Sequence, residues 1–289
     1  MSGAGWKRSL PLPSAVQLVW HGSEPYPRGV PIGEFYSDLR FPHTPGALPY
    51  LIANMAMTLN GEAAVGGRAS TIGTPVDGVA LTRVRAAADA VLTGFGTLLA
   101  EDVTAALPEE EAARRTAAGR SGRLLAVVLT SGRTLDPSIL TRRFFTDPRF
   151  DRLVITGMQC NPRALQPVED RGIEVVRVAS GPDGRPDPTA AIRLLGDRGA
   201  RVIVSEGGPR VLASLLRARL VREYFQTQSP LATGVTEAPR PIMGDVTAGD
   251  RPLLLGRVSR HEFAFTDPVA GARLVEVYER YRVVYPPER

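Results

Sequence analysis

Val202-Ile203-Val204-Ser205-Glu206-Gly207-Gly208-Pro209 is the stretch that decides the fold. A short apolar, β-branched run ends in an acid and two glycines. An amphipathic segment comes next, Val211-Leu212-Ala213-Ser214-Leu215-Leu216. This is the pattern of a buried strand turning into a helix. The turn exposes backbone N–H groups at a helix start, which suits a phosphate or pyrophosphate. Glycine lets the backbone come close to such a ligand. Glu206 falls at the strand's carboxyl end, where open α/β sheets place their ligands. On the motif alone, a tight turn without a ligand stands beside this reading.

Working outward, the same pattern recurs. Tyr50-Leu51-Ile52-Ala53-Asn54-Met55-Ala56-Met57 reads as a buried strand, with a turn at Thr58-Leu59-Asn60-Gly61. Pro75 to Ala88 reads as a helix capped by Thr74. Ala90-Val91-Leu92-Thr93 ends on Gly94-Phe95-Gly96-Thr97, a second strand-to-turn junction. Further strands are predicted at 124–130, 153–157, 173–178 and 202–205, and a helix at 189–199. Residues 223–228 and 273–284 alternate like late, partly antiparallel strands. Strands interleaved with helices predict an α/β fold with a mainly parallel central sheet flanked by helices. Residues 1–48 read as a Pro/Gly-rich arm. A strand is expected near Val16–Trp20, and Pro25, Pro27 and Pro31 are expected to break regular structure beyond it. The long loop from Leu231 to Pro252 is expected to be functional or mobile.

Composition narrows the classes. The chain has 289 residues, 43% hydrophobic and 22% charged, as in soluble globular proteins. No run approaches the ~20 apolar residues of a membrane span, and no leader is evident, so a cytoplasmic protein is expected. The one cysteine excludes an intramolecular disulfide and a cysteine-based zinc cluster; no metal site is expected. The net charge of +5 is spread among acids, without basic runs interleaved with aromatics. It reads as arginine-rich surface and anion pockets rather than a nucleic-acid footprint.

In this order the motifs resemble the reductase domain of bacterial riboflavin biosynthesis, a member of the dihydrofolate reductase-like superfamily. That domain's Lys-x-Ala-x-Ser-Leu-Asp-Gly strand matches residues 54–61. Its Leu-Arg-Ala matches Val84-Arg85-Ala86, and its Gly-x-Gly-Thr-x-x-x-Asp-Asp-Pro segment matches residues 94–103. Its Glu-Gly-Gly-Pro element matches Glu206 to Pro209. The resemblance covers residues 49–285. It implies a dihydrofolate reductase-like domain over 49–289, a homodimer, and NADPH-dependent reduction of a ribosylamino-pyrimidinone phosphate or similar heterocycle. The companion deaminase, with its Cys-x-x-Cys zinc ligands, has no counterpart here.

The resemblance also implies roles. Gly207, Gly208 and Pro209, with Gly94, Gly96, Thr97, Ala56 and Thr58, fall on the cofactor side. Ser131 and Arg133 fall at the adenosine end, where an arginine grips a 2′-phosphate. Glu206, Arg85, Asn54 and Glu101 fall on the substrate side. Each has a plainer alternative: a helix cap for Thr97, a structural acid for Glu206, a surface charge for Arg85, a solvated turn for Arg133. No catalytic residue is assigned, because the nicotinamide supplies the hydride and the protein orients the rings. Asn54 replaces the usual lysine, Asn60 the usual aspartate and Val103 the usual proline. Thr104-Ala105-Ala106-Leu107 offers no phosphate-gripping arginine. Other readings stay open: a reductase of the same fold acting on a pterin, folate or secondary metabolite, or a non-catalytic nucleotide-binding protein.

Overall fold

In the computed structural model, described for residues 10–22, 24–132, 137–235, 237–247 and 251–287, one sheet of eleven strands organises the chain. β1 (Ala15–His21) and β2 (Glu24–Pro31) form a hairpin. β3 (Tyr50–Thr58) leads through α1 (Pro75–Ala86) to β4 (Ala90–Gly94). α2 (Phe95–Ala100) and α3 (Glu109–Ala117) precede β5 (Leu125–Thr130). Then come α4 (Arg143–Thr146), β6 (Asp151–Gly157), α5 (Gln166–Glu169) and β7 (Glu174–Val178). α6 (Pro188–Asp197), β8 (Val202–Ser205), α7 (Pro209–Arg217), β9 (Val221–Ser229), β10 (Leu254–Thr266) and β11 (Arg273–Val284) complete the chain.

The strand order is β2-β1-β10-β11-β9-β3-β8-β4-β5-β6-β7. From β9 to β7 every pairing is parallel. The four pairings from β2 to β9 are antiparallel. The chain steps outward from β3 to β7, then returns to insert β8 between β3 and β4. Ligands of open α/β sheets collect at such a reversal, at the strands' carboxyl ends.

Helices cover both faces of the parallel half. Ile192, Leu195, Leu212, Leu215 and Leu216 of α6 and α7 pack on Leu51, Leu92, Ile155 and Ile203. On the other face Val84, Leu98, Phe144 and Phe150 pack on Ile52, Val91, Val128 and Val204. The strands are buried on both sides, which is why they read as continuous apolar runs. The antiparallel wing has its own core, where Phe35, Phe263, Phe265 and Tyr278 meet Val76 and Ala80 of α1.

Several boundaries reflect local chemistry. Thr74 caps α1, its Oγ1 accepting from Val76 N at 3.3 Å, with Pro75 in the first turn. The same Oγ1 donates to buried Glu276 on β11 at 2.5 Å, so the helix start is fastened to the wing. At the other end, Arg115 of α3 donates to the carbonyls of Ala86 and Ala88 at 2.5 and 2.6 Å, satisfying acceptors that a helix end leaves open.

One expectation fails here. The prolines after Trp20 do not break the chain: residues 24–31 form β2, at the sheet's edge, where a strand tolerates missing N–H donors. The loop from Leu231 to Pro252 is tethered at several points. Leu59 N donates to Leu231 O at 2.7 Å, Ala63 N to Pro239 O at 2.6 Å, and Met243 N to Pro209 O at 3.2 Å. These bonds strap it along the carboxyl ends of β3 and β8.

Candidate active site

Two strand-to-helix turns meet at the centre of the sheet. β4 delivers Gly94 into α2, and β8 delivers Glu206 and Gly207 into the nine-residue α7. Gly94 N donates to Gly207 O at 2.8 Å, and Glu206 N donates to Leu92 O at 3.0 Å. The contact requires glycine. A Cβ at Gly94 would lie 2.9 Å from a methyl of Val211, and one at Gly208 would lie 3.1 Å from Thr97 Oγ1. Gly207 sits at φ +93°, a conformation L side chains rarely adopt. A Cβ at Gly96 would meet nothing within 4 Å, so its backbone face is bare. Thr97 lies inside α2 and is not its cap, which is Gly94. The structure thus gathers Gly94, Gly96, Thr97, Gly207, Gly208 and Pro209 into one cluster. It matches a backbone cradle for a phosphorylated cofactor: bare at Gly96, and formed beside the start of a helix long enough to carry a dipole.

Of the residues expected on the substrate side, Arg85, Glu206 and Asn54 lie on the face covered by α1. Arg85 Nε and Nη2 each donate to a Glu206 carboxylate oxygen at 2.6 Å. Their side chains are only 14% and 11% exposed. Burial opposes the Arg85 charge, but the Glu206 carboxylate outweighs it and raises the guanidinium above its ordinary value. The two residues therefore satisfy one another. They wall a narrow crevice with Thr93, Val103, Thr104 and Phe144. Asn54 is next to Ala53, which is in register with Ser205, so it stands beside Glu206 on the same face.

Glu101 and Asp102 are placed differently. Glu101 accepts from Ala69 N at 2.6 Å, tying the end of α2 to the 3₁₀ turn Ala69–Thr71. Asp102 accepts from Arg143 N at 2.8 Å and Arg143 Nε at 2.9 Å. Thr58, fully buried at the end of β3, donates to Asn60 Oδ1 at 2.7 Å and accepts from Glu62 N at 2.9 Å. Ala56 shares its strand face. Ser131 comes directly after β5, which β4 separates from β8 and Glu206. Next to it, a Cβ on Gly132, at φ +71°, would fall 1.9 Å from Cys160 Sγ. Arg133 lies outside the described residues.

Sequence reasoning passed over Glu62. Its buried carboxylate accepts from Asn60 Nδ2 at 2.9 Å, from Val235 N at 2.8 Å and from the Thr233 hydroxyl. It fastens the 231–235 segment to the turn after β3. Its partners lie 171 and 173 residues away, and no local pattern announces them. Thr93 was also missed as a site residue, because it reads as the last residue of an apolar strand.

Comparison with known proteins fits this geometry. The RibD C-terminal domain family matches residues 49–253. The chain is 28% identical over 202 residues to the 2,5-diamino-6-ribosylamino-4(3H)-pyrimidinone 5′-phosphate reductase of Archaeoglobus fulgidus, covering 68% of this chain and 87% of that protein. A pyrimidine reductase-like protein from Corynebacterium diphtheriae superposes with a TM-score of 0.64 at 24% identity, over 82% of this chain and 93% of that one. Acinetobacter baumannii RibD superposes with a TM-score of 0.58 at 17% identity, over 82% of this chain and 58% of that one. The sheet, its late antiparallel strands and the glycine turns are those of a dihydrofolate reductase-like fold, and the chain belongs to the RibD C-terminal domain family.

Proposed function

We propose that the chain is an NADPH-dependent oxidoreductase that reduces a ribosylamino-pyrimidinone phosphate or a similar heterocyclic substrate. The observation that carries this reading is the Gly94–Gly207 junction, where two glycine turns touch backbone to backbone beside the start of α7. The match to the Archaeoglobus fulgidus reductase supports the substrate class.

Bound NADPH supplies the hydride; the protein's part is to hold two rings in register and keep water out. Gly207, Gly208 and Pro209 hold the pyrophosphate against the start of α7. Gly96 and Thr97 line the approach to the nicotinamide end. Asn54 and Thr93 offer an amide and a hydroxyl to a polar ring, in a crevice whose charges are already balanced by the Arg85–Glu206 pair. We extend the reading to a cytoplasmic homodimer. Leu254, Leu255 and Val284, exposed on β10 and β11, supply apolar surface for it. Among the described residues no helix is long and apolar enough to cross a membrane.

Calorimetric titration with NADPH and NADH tests the cofactor. Tight NADPH binding, much weaker NADH binding and loss of both in a folded Gly208→Trp variant are expected. No binding of either nucleotide sinks the reading. Loss of nicotinamide absorbance with the pyrimidinone phosphate, compared with dihydrofolate, separates the proposed substrate from a pterin or folate.

A further inference from the structure

β3 outruns its neighbour β8. Ala53 is the last residue of β3 opposite β8, facing Ser205, while Asn54 to Thr58 pair with β9 alone among the described strands. This overhang stands against the glycine cradle: a Cβ on Gly207 would lie 3.2 Å from Met55 Sδ. The segments that follow β9 run from the overhang to the cradle. Leu231 O accepts from Leu59 N at 2.7 Å, Pro239 O accepts from Ala63 N at 2.6 Å, and Met243 N donates to Pro209 O at 3.2 Å. They thus join the turn after β3 to the first residue of α7, where the pyrophosphate seat is proposed.

Those three anchors join backbone to backbone. Between the first two, the hold comes from a side chain. Glu62, only 6% exposed, accepts from Val235 N at 2.8 Å and from the Thr233 hydroxyl. The carboxylate is itself aimed. Asn60 Nδ2 donates to it at 2.9 Å, Thr58 Oγ1 donates to Asn60 Oδ1 at 2.7 Å, and Glu62 N donates to Thr58 Oγ1 at 2.9 Å. Thr58 is fully buried at the end of the overhang. A charged acceptor makes stronger hydrogen bonds than a neutral one, and a side chain locked by its neighbours holds what it binds in one place.

We infer that Glu62 is a positioning residue for the cofactor: through residues 233–235 it fixes the segments that join the β3 overhang to Pro209, and so sets the cleft over Gly207 and Gly208. The inference rests on the reductase reading for what enters that cleft. Glu62 is buried under its own partners and acts through them, not by contact with a ligand.

The test compares the whole chain with Glu62→Ala, Glu62→Gln and Ile173→Val, each studied well below its melting temperature. Ile173 is buried just before the far edge strand β7, so its variant lowers stability without touching these segments. Amide exchange is read without nucleotide. Glu62→Ala is expected to speed exchange at Met243 as well as at Val235, while Ile173→Val leaves Met243 as in the parent. Calorimetric titration with NADPH is expected to give about fivefold or greater loss of affinity in Glu62→Ala, since preorganisation of the cleft is lost. A smaller loss is expected in Glu62→Gln, which keeps one acceptor, and the parent value in Ile173→Val. NADPH affinity in Glu62→Ala equal to the parent's overturns the assignment, as does unchanged exchange at Met243 or an equal loss of affinity in Ile173→Val. A parent that binds no NADPH counts against the reductase reading instead; the Met243 exchange then still passes or fails the inference by itself.

Discussion

Arg85 on α1 and Glu206 at the end of β8 hold each other through two parallel hydrogen bonds of 2.6 Å, across 121 residues of chain. A side-on pairing of this kind fixes the helix against the strand end. It also leaves neither residue an idle charge for a third group.

This pairing predicts an asymmetric mutational cost. Arg85→Met or Glu206→Leu alone leaves a buried charge unpaired, at a cost of about 3–5 kcal/mol. The double variant Arg85→Met with Glu206→Leu is expected to recover most of that loss. Urea unfolding of the four proteins measures the coupling. Additive losses would show that the two groups act independently.

His261 on β10 sets an acid limb for stability. It is 7% exposed and lies edge-on to Phe35, with its Nδ1 lacking a hydrogen-bond partner. Burial, with a smaller contribution from His21, pushes its pKa down from 6.5 to about 4. The unfolded chain therefore takes up a proton below pH 6.5 that the folded chain refuses until about pH 4. Stability is expected to fall across that window by about 3 kcal/mol and to level off for this group below it. His261→Phe is expected to flatten the limb. Identical pH profiles for parent and variant would refute the assignment.

Glu62 fastens the 231–235 segment. Glu62→Ala removes the acceptor for Val235 N, Asn60 and Thr233. A loss of about 0.5–1.5 kcal/mol in stability is expected, from hydrogen bonds exchanged for water. The specific signature is faster amide exchange at Val235, measured by NMR, with little change at Ile203. Uniform acceleration through the sheet would indicate global destabilisation alone.

Gly132 has no room for a side chain. Gly132→Ala places a methyl inside the volume of Cys160, at a backbone angle that disfavours any Cβ. Overpacking of this kind costs about 1–3 kcal/mol or more. Adding Cys160→Gly, which removes both clashing atoms, is expected to return part of the loss in thermal melts. A variant pair that melts no higher than Gly132→Ala alone would place the strain elsewhere.

The parallel half of the sheet was legible because its strands are buried on both faces. Runs such as Leu51-Ile52-Ala53 and Val202-Ile203-Val204 have one reading, and glycine marks where each ends. β10 was missed for the opposite reason. Its Arg257, Arg260, His261 and Glu262 interrupt any apolar run, and pairing with β11 on one side and β1 on the other makes it a strand. α3 was missed because its paired glutamates and arginines show no apolar stripe; it is held by Arg115 reaching into the end of α1. Each glycine turn at the site was readable, since each is a run of residues adjacent in sequence; the contact between the two turns was not. The partnerships of Arg85 with Glu206, Thr74 with Glu276 and Glu62 with Thr233 were not, since each joins segments more than a hundred residues apart.

The hairpin of β1 and β2 carries one more consequence. An open sheet is a template for another chain wherever its outermost strand offers a full row of donors. Here that outermost strand contains Pro25, Pro27 and Pro31, so three of its eight residues have no N–H to give. A second chain laid alongside would find a broken ladder. The prolines make the wing a self-limiting border, so that the eleven-stranded sheet does not grow from this edge.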